Sequence, residues 1–229
     1  MTLNPSDIQA LWLTLELALL TTTILLVIGV PLAWFFAHAK SRWWSILEVI
    51  FSLPLILPPT VLGFYLLVVF SPKNHFGDWW IQLTGHPFAF SFSGILVASV
   101  IYSLPFVLQP LRATFKQMGN TYTHLASSLG VSSFKSFFII FIPLNMRMII
   151  SAATLGFAHT LGEFGVVLMV GGSIPGETRL LSIALFEHVE AGELFQAHQL
   201  AALLLFAAFA LLLTINLLQK GKRESFPHA

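Results

Sequence analysis

Residues 11–37 read LWLTLELALLTTTILLVIGVPLAWFFA, an apolar run in which Glu16 is the only charged side chain. A helix needs about 20 apolar residues to cross the hydrocarbon core of a bilayer, so this stretch reads as one membrane span. Four more stretches of the same character follow, at roughly 46–70, 93–114, 146–170 and 198–219. Hydrophobic residues make up 56% of the 229 positions and charged residues only 9%, against about 25% charged in an ordinary soluble domain. Mean hydropathy is +0.84. Polar and charged residues come in short clusters between the apolar runs, with no internal repeat, low-complexity tract or linker. The chain therefore reads as a single all-α domain, residues 1–229, a polytopic membrane helix bundle of about five spans surrounded by lipid.

Charge sets the expected orientation. An odd number of spans puts the termini on opposite sides, and Lys and Arg collect on the cytoplasmic side. One orientation gathers Lys40, Arg42, Arg112, Lys116, Lys135, Arg147, Lys220, Lys222 and Arg223 there and leaves only Lys73 and Arg179 outside. The expected arrangement has the N-terminus outside, the C-terminus inside, and the loop at about 117–143 in the cytoplasm. Residues 1–10 lack a positive n-region and are not read as a cleaved signal peptide. A formal net charge of +1, with its basic residues dispersed among loops, excludes the concentrated basic face that nucleic acid requires. The absence of cysteine excludes disulfides, thiolate metal sites and cysteine nucleophiles. Outside the membrane, residues 74–92 with Trp79 and Trp80 read as a short interfacial excursion. Residues 171–199, with Glu177, Glu187, Glu190 and Glu193 against Arg179, read as a partly amphipathic helix near the outer surface.

Three segments carry the candidate sites. The first is Leu125-Ala126-Ser127-Ser128-Leu129-Gly130, followed after nine residues by Ile140-Phe141-Ile142-Pro143. Leu125 and Leu129 are spaced i, i+4 and share a helix face; Gly130 can end such a helix in the left-handed conformation. Taken alone, the segment reads first as an ordinary solvated loop between spans. The second is Leu53-Pro54-Leu55-Ile56-Leu57-Pro58-Pro59-Thr60-Val61-Leu62-Gly63. Its prolines each cost about 3 kcal/mol inside a helix, which is tolerable where a broken helix lines a cavity. Thr60 and the amides after Pro59 would then meet an anion at a half-helix N-terminus; the alternative is a packing kink. The third is Ala158-His159-Thr160-Leu161-Gly162-Glu163-Phe164-Gly165, where His159 and Glu163 at i, i+4 offer either a structural pair or a proton relay. Gly156, Gly162 and Gly165 are expected to permit close helix packing. Neither an HExxH pattern nor a catalytic constellation is present, so no metal and no catalytic residue is assigned. The remaining histidines, His75, His86, His124, His188, His198 and His228, read as solvated or interfacial.

The first segment resembles the cytoplasmic coupling loop of ATP-binding-cassette (ABC) importer permeases, which runs Glu-Ala-Ala, three residues, Gly, nine residues, Ile-x-Leu-Pro. Here His124, Leu125 and Ala126 occupy the Glu-Ala-Ala positions, and Gly130, Ile140 and Pro143 are in register. The Pro-Pro-Thr-Val-Leu-Gly run, Gly162-Glu163-Phe164-Gly165 and Ile174-Pro175-Gly176-Glu177-Thr178 resemble the molybdate permeases of that family, with sulfate, thiosulfate and tungstate permeases as near relatives. The resemblance covers nearly the whole chain. It implies a type I ABC importer permease fold with a cytoplasmic coupling helix, in a bacterial inner membrane. Implied partners are a second copy of the chain, two cytoplasmic ABC ATPases and a periplasmic molybdate-binding protein. No cofactor is implied on this chain itself, ATP and Mg²⁺ belonging to the ATPase, and the chain would be no enzyme. The implied coupling residues are His124, Leu125, Ala126, Ser127, Leu129, Gly130, Ile140 and Pro143. Candidates for the pathway or its gate are Pro58, Pro59, Thr60, Ser99, Ser103, Thr160 and Glu163. A proton-coupled secondary transporter built on His159 and Glu163 is the reading from a different class.

Overall fold

The computed structural model describes residues 4–39, 41–118, 128 and 130–220. The first helix, α1 (Pro5–His38), starts with Pro5 at its first position, where the missing N–H would have no helical partner anyway. Its 34 residues give a rod of about 51 Å, longer than the ~30 Å hydrocarbon core. Its buried face, Ala10, Thr14, Leu17, Thr21, Leu25, Gly29, Ala33 and Phe36, recurs every three or four residues and packs on α5 (Phe92–Met118). The helix α8 (Met146–Leu161) closes a three-helix centre with both. Small residues permit this approach: a methyl on Gly29 would lie 3.4 Å from one methyl of Val107, and a methyl on Gly156 only 2.7 Å from the other.

Among the described residues three apolar clusters fill the bundle, two of them large. Leu25, Ala33, Phe36, Val107, Leu111, Phe115, Phe141 and Ala152 form one. Leu17, Phe70, Phe88, Ile95, Ala98, Val166, Val170 and Leu180 form the other. The last helix, α11 (Leu194–Lys220), leaves Leu205, Phe206, Phe209, Leu212 and Leu217 exposed, as expected of a helix that faces lipid or another chain.

Among the described residues three helices are long and apolar enough to cross a membrane, α1, α5 and α11, and up to five spans result if each bent pair counts as one. The stretch at 46–70 is such a pair. α2 (Arg42–Ser52) runs through a 3₁₀ turn at Leu53–Leu55 and meets α3 (Pro59–Phe70) at a bend of 111°. The expected continuous span at 146–170 is likewise interrupted. α8 stops at Leu161, residues 162–164 are not helical, and α9 (Gly165–Gly171) resumes. Before α8, the segment Phe134–Leu144 joins it at 77°. That segment comprises α6 (Ser133–Ser136), a π-helical turn at Phe137–Phe141 and α7 (Ile142–Leu144).

Two short helices lie outside the long ones. α4 (His75–Thr84) is capped by Asn74, whose side chain accepts from the Phe76 amide, and ends at Gly85 with φ +76°. α10 (Leu181–Glu190) is the helix expected in the acidic segment.

Candidate functional site: apposed helix breaks and a glycine turn

The two interruptions meet. A methyl on Gly165 would lie 3.1 Å from Pro59 Cβ and Cγ, and one on Gly63 would lie 2.7 Å from Met169 Cβ. The start of α3 therefore sits against the start of α9, and glycine at both positions allows the contact. Pro58 and Pro59 explain the first break, because neither donates a backbone hydrogen bond and Pro59 is pre-set for the first position of α3. Pro58 and Thr60 are exposed, Pro59 half-buried. The free amides at the start of α3 are the positive end of its dipole.

α5 and α8 share a buried polar cluster. Ser103 Oγ is joined to His159 Nδ1 at 2.9 Å and to Thr160 Oγ1 at 3.1 Å. The Thr160 hydroxyl donates to the Gly156 carbonyl at 3.0 Å. His159 stacks on Phe106 with ring centroids 3.8 Å apart. Ser103 and Thr160 are thus fully covered within one copy of the chain, whereas Thr60 is at its surface.

Glu163 departs from the expected pairing. Because α8 ends at Leu161, Glu163 leaves the helical register, and no ion pair to His159 occurs among the described residues. Its side chain is only 4% exposed, and the hydroxyl of Ser99 lies beside its carboxylate. Its backbone carbonyl accepts from Ser182 Oγ at 2.6 Å, which ties the break to α10. Gly156 and Gly165 make the expected close contacts, but Gly162 does not. The nearest atoms to a methyl there are carbonyls of its own turn, 3.8 Å away, so Gly162 marks the helix end instead.

At the other end of α8 lies the segment resembling a coupling loop. His124, Leu125, Ala126, Ser127 and Leu129 lie outside the described residues. Gly130 has φ +73° with open space around it, so backbone conformation, not crowding, calls for glycine. Ile140 falls in the π-helical turn and Pro143 in α7. Phe137 and Phe141 anchor the segment. Phe141 is fully buried, its ring edge-on to Trp34 and Phe115, and Asn145 Nδ2 donates to its carbonyl at 2.7 Å. Phe134 and Phe138 remain exposed. The i, i+4 spacing of Phe137 and Phe141 was the available sequence signal for this anchor.

At the opposite end of the bundle is a charge network that sequence reasoning missed. Asp7, in the first turn of α1, is 2% exposed. It accepts from both terminal nitrogens of Arg179 at 3.3 Å and lies 3.1 Å from His188 Nε2. Arg179 Nε donates to Glu187 at 2.7 Å, Ser173 donates to the other oxygen of Glu187, and His188 Nδ1 lies 2.6 Å from Glu193. His188 is therefore buried in ion pairs and not solvated. Burial lowers its pKa, but hydrogen bonds donated to Glu193 and Asp7, with their charges, outweigh that and leave it raised. The loop in front of α10 is closed on itself: the Thr178 hydroxyl donates to the Gly171 carbonyl at 2.7 Å and accepts from the Ile174 amide at 3.0 Å.

Long apolar helices, two broken ones and a short turn beneath the bundle make up the architecture of an ABC importer permease. The fold resembles the MetNI methionine ABC transporter solved in inward-facing conformations, with a TM-score of 0.70 at 12% identity, over 93% of this chain and 94% of that one. The chain belongs to the binding-protein-dependent transport system inner membrane component family, whose profile matches residues 29–220. It is 47% identical to the Molybdenum transport system permease protein ModB of Azotobacter vinelandii, over 94% of this chain and 95% of that protein. It is 31% identical to the protein of the same name from Escherichia coli K12, over 83% of each. Over 96% of this chain and 80% of the relative, it is 28% identical to the Sulfate transport system permease protein CysT of that organism. This is a multi-pass inner-membrane permease of the ABC transport family.

Proposed function

We propose that this chain is the permease of an ATP-driven importer that translocates molybdate delivered by a periplasmic binding protein. The observation that carries the reading is the 47% identity, over nearly the full length of both chains, to a molybdenum transport permease. In this reading two copies form the pathway, and two cytoplasmic ATPase subunits, which hold the ATP and Mg²⁺, grip the segment at 117–143. The N-terminus is outside and the C-terminus inside, in keeping with the nine-to-two distribution of Lys and Arg. The exposed start of α3, with Pro58, Pro59 and Thr60, faces the passing oxyanion; hydroxyls and amides suit a dianion that must be released, since a tight cationic site would retain it. Ser99, Ser103, Thr160 and Glu163 lie behind that surface and line the pathway only when the two breaks move apart. Gly130, Ile140 and Pro143 belong to the lever that the ATPase moves, together with His124, Leu125, Ala126, Ser127 and Leu129.

A sulfate, thiosulfate or tungstate permease is the near alternative, on the strength of the match to CysT. Competition decides between them. Uptake of radiolabelled molybdate by vesicles containing the permease, its ATPase and its binding protein should resist excess sulfate; efficient competition by sulfate would move the assignment to sulfate.

A further inference from the structure

The ion-pair network around Asp7 joins three parts of the chain that are remote in sequence: the first turn of α1, the loop ending at Arg179, and α10 with the turn after it. Hydrogen bonding between His188 and Asp7 bridges 181 positions. We propose that Asp7, Arg179, His188 and Glu193 form a proton-dependent latch, which fastens α10 and the preceding loop to the start of α1 while His188 is charged and loosens when it is neutral.

The charge balance supports this. Three carboxylates, Asp7, Glu187 and Glu193, face one permanent cation, Arg179. A proton on His188 supplies the second cation, and it does so at the most buried carboxylate. Asp7 comes from α1, Arg179 from the loop before α10, Glu193 from the turn after it, and Glu187 from α10 itself. The α11 side chains in the apolar cluster beside α10, Leu200, Leu203 and Leu204, carry no charge, and the titratable His198 of that helix is exposed. Glu177 and Glu190 are exposed. Loosening would act on the Thr178 turn and on the Leu181 amide, which donates to Thr14 Oγ1 on α1 at 2.8 Å. It would also act on Ser182, which holds the Glu163 carbonyl at the helix break. The latch thus reaches from one end of the bundle to the junction of its two interrupted helices. The sign is fixed by the raised His188 pKa. The contribution is complete below the ordinary imidazole value of 6.5 and is lost as pH rises through the higher folded value.

Hydrogen–deuterium exchange of the full chain in lipid nanodiscs between pH 5.5 and 8.5, corrected for the intrinsic exchange rate, tests the latch. Residues 173–190 should lose protection as pH rises, while the α5 core stays protected. H188Q should abolish that pH dependence. E193Q, which removes a half-exposed partner and is the milder variant should H188Q fold poorly, should shift the loss to lower pH. A flat profile in the unmutated chain, the same profile in H188Q, or an unmoved midpoint in E193Q would each overturn the proposal.

Discussion

Gly130 offers the sharpest perturbation of the coupling segment. Its φ of +73° lies in the left-handed region, and nothing within 4 Å would touch an added Cβ. A side chain there carries only the backbone cost of that conformation, about 1–2 kcal/mol for an ordinary L-residue and less for Asn or Asp. An energy of that size changes the population of the correct turn about 5- to 30-fold. G130A should therefore reduce ATP-driven uptake by about that factor, while membrane insertion and the thermal stability of the bundle stay unchanged. G130N should retain most of the unmutated rate, because Asn tolerates the left-handed region. G130D satisfies the backbone equally well but adds a charge where the ATPase is proposed to dock, and should abolish uptake. The assay is ATP-dependent molybdate uptake in proteoliposomes, normalised to inserted permease. Transport by G130A at the unmutated rate would refute the role of the left-handed turn, and G130N as poor as G130A would show that its conformation is not what matters.

Three further outcomes are expected. G156A places a methyl 2.7 Å from Val107 Cγ2 and should destabilise the bundle by about 1–3 kcal/mol, read as a lowered melting temperature in detergent and rescued by V107A. The pair of Arg112 and Glu48, 2.6 Å apart but a quarter exposed on each side, should contribute less than about 1 kcal/mol, so E48Q should barely move the melting temperature. E163Q should leave uptake insensitive to the proton gradient, as in the unmutated chain; gradient-driven uptake that E163Q abolishes would favour the proton-coupled alternative.

The long apolar runs were readable because each is a local property: residues 11–37, 93–114 and 198–219 lie within α1, α5 and α11. The first helix break was readable for the same reason, since Pro58 and Pro59 act on their own backbone. The second was hidden because Gly162 and Glu163 are compatible with a helix, and only the packing of Gly165 on Pro59 and the Ser182 bond favour ending it. Once α8 stops at Leu161, the i, i+4 relation of His159 to Glu163 has no geometric meaning, and His159 turns to Ser103 instead. His188 was misread because Asp7 is its partner only after α1 and α10 have packed together. The left-handed turn at Gly130, by contrast, follows from the glycine itself.

In the proposed function an ATPase drives this permease through the segment around Gly130. Proteoliposomes containing the permease and binding protein, with and without the ATPase subunit, test it by molybdate accumulation at fixed proton gradient. Accumulation is expected only when the ATPase and ATP are both present; equal accumulation without the ATPase would contradict that function.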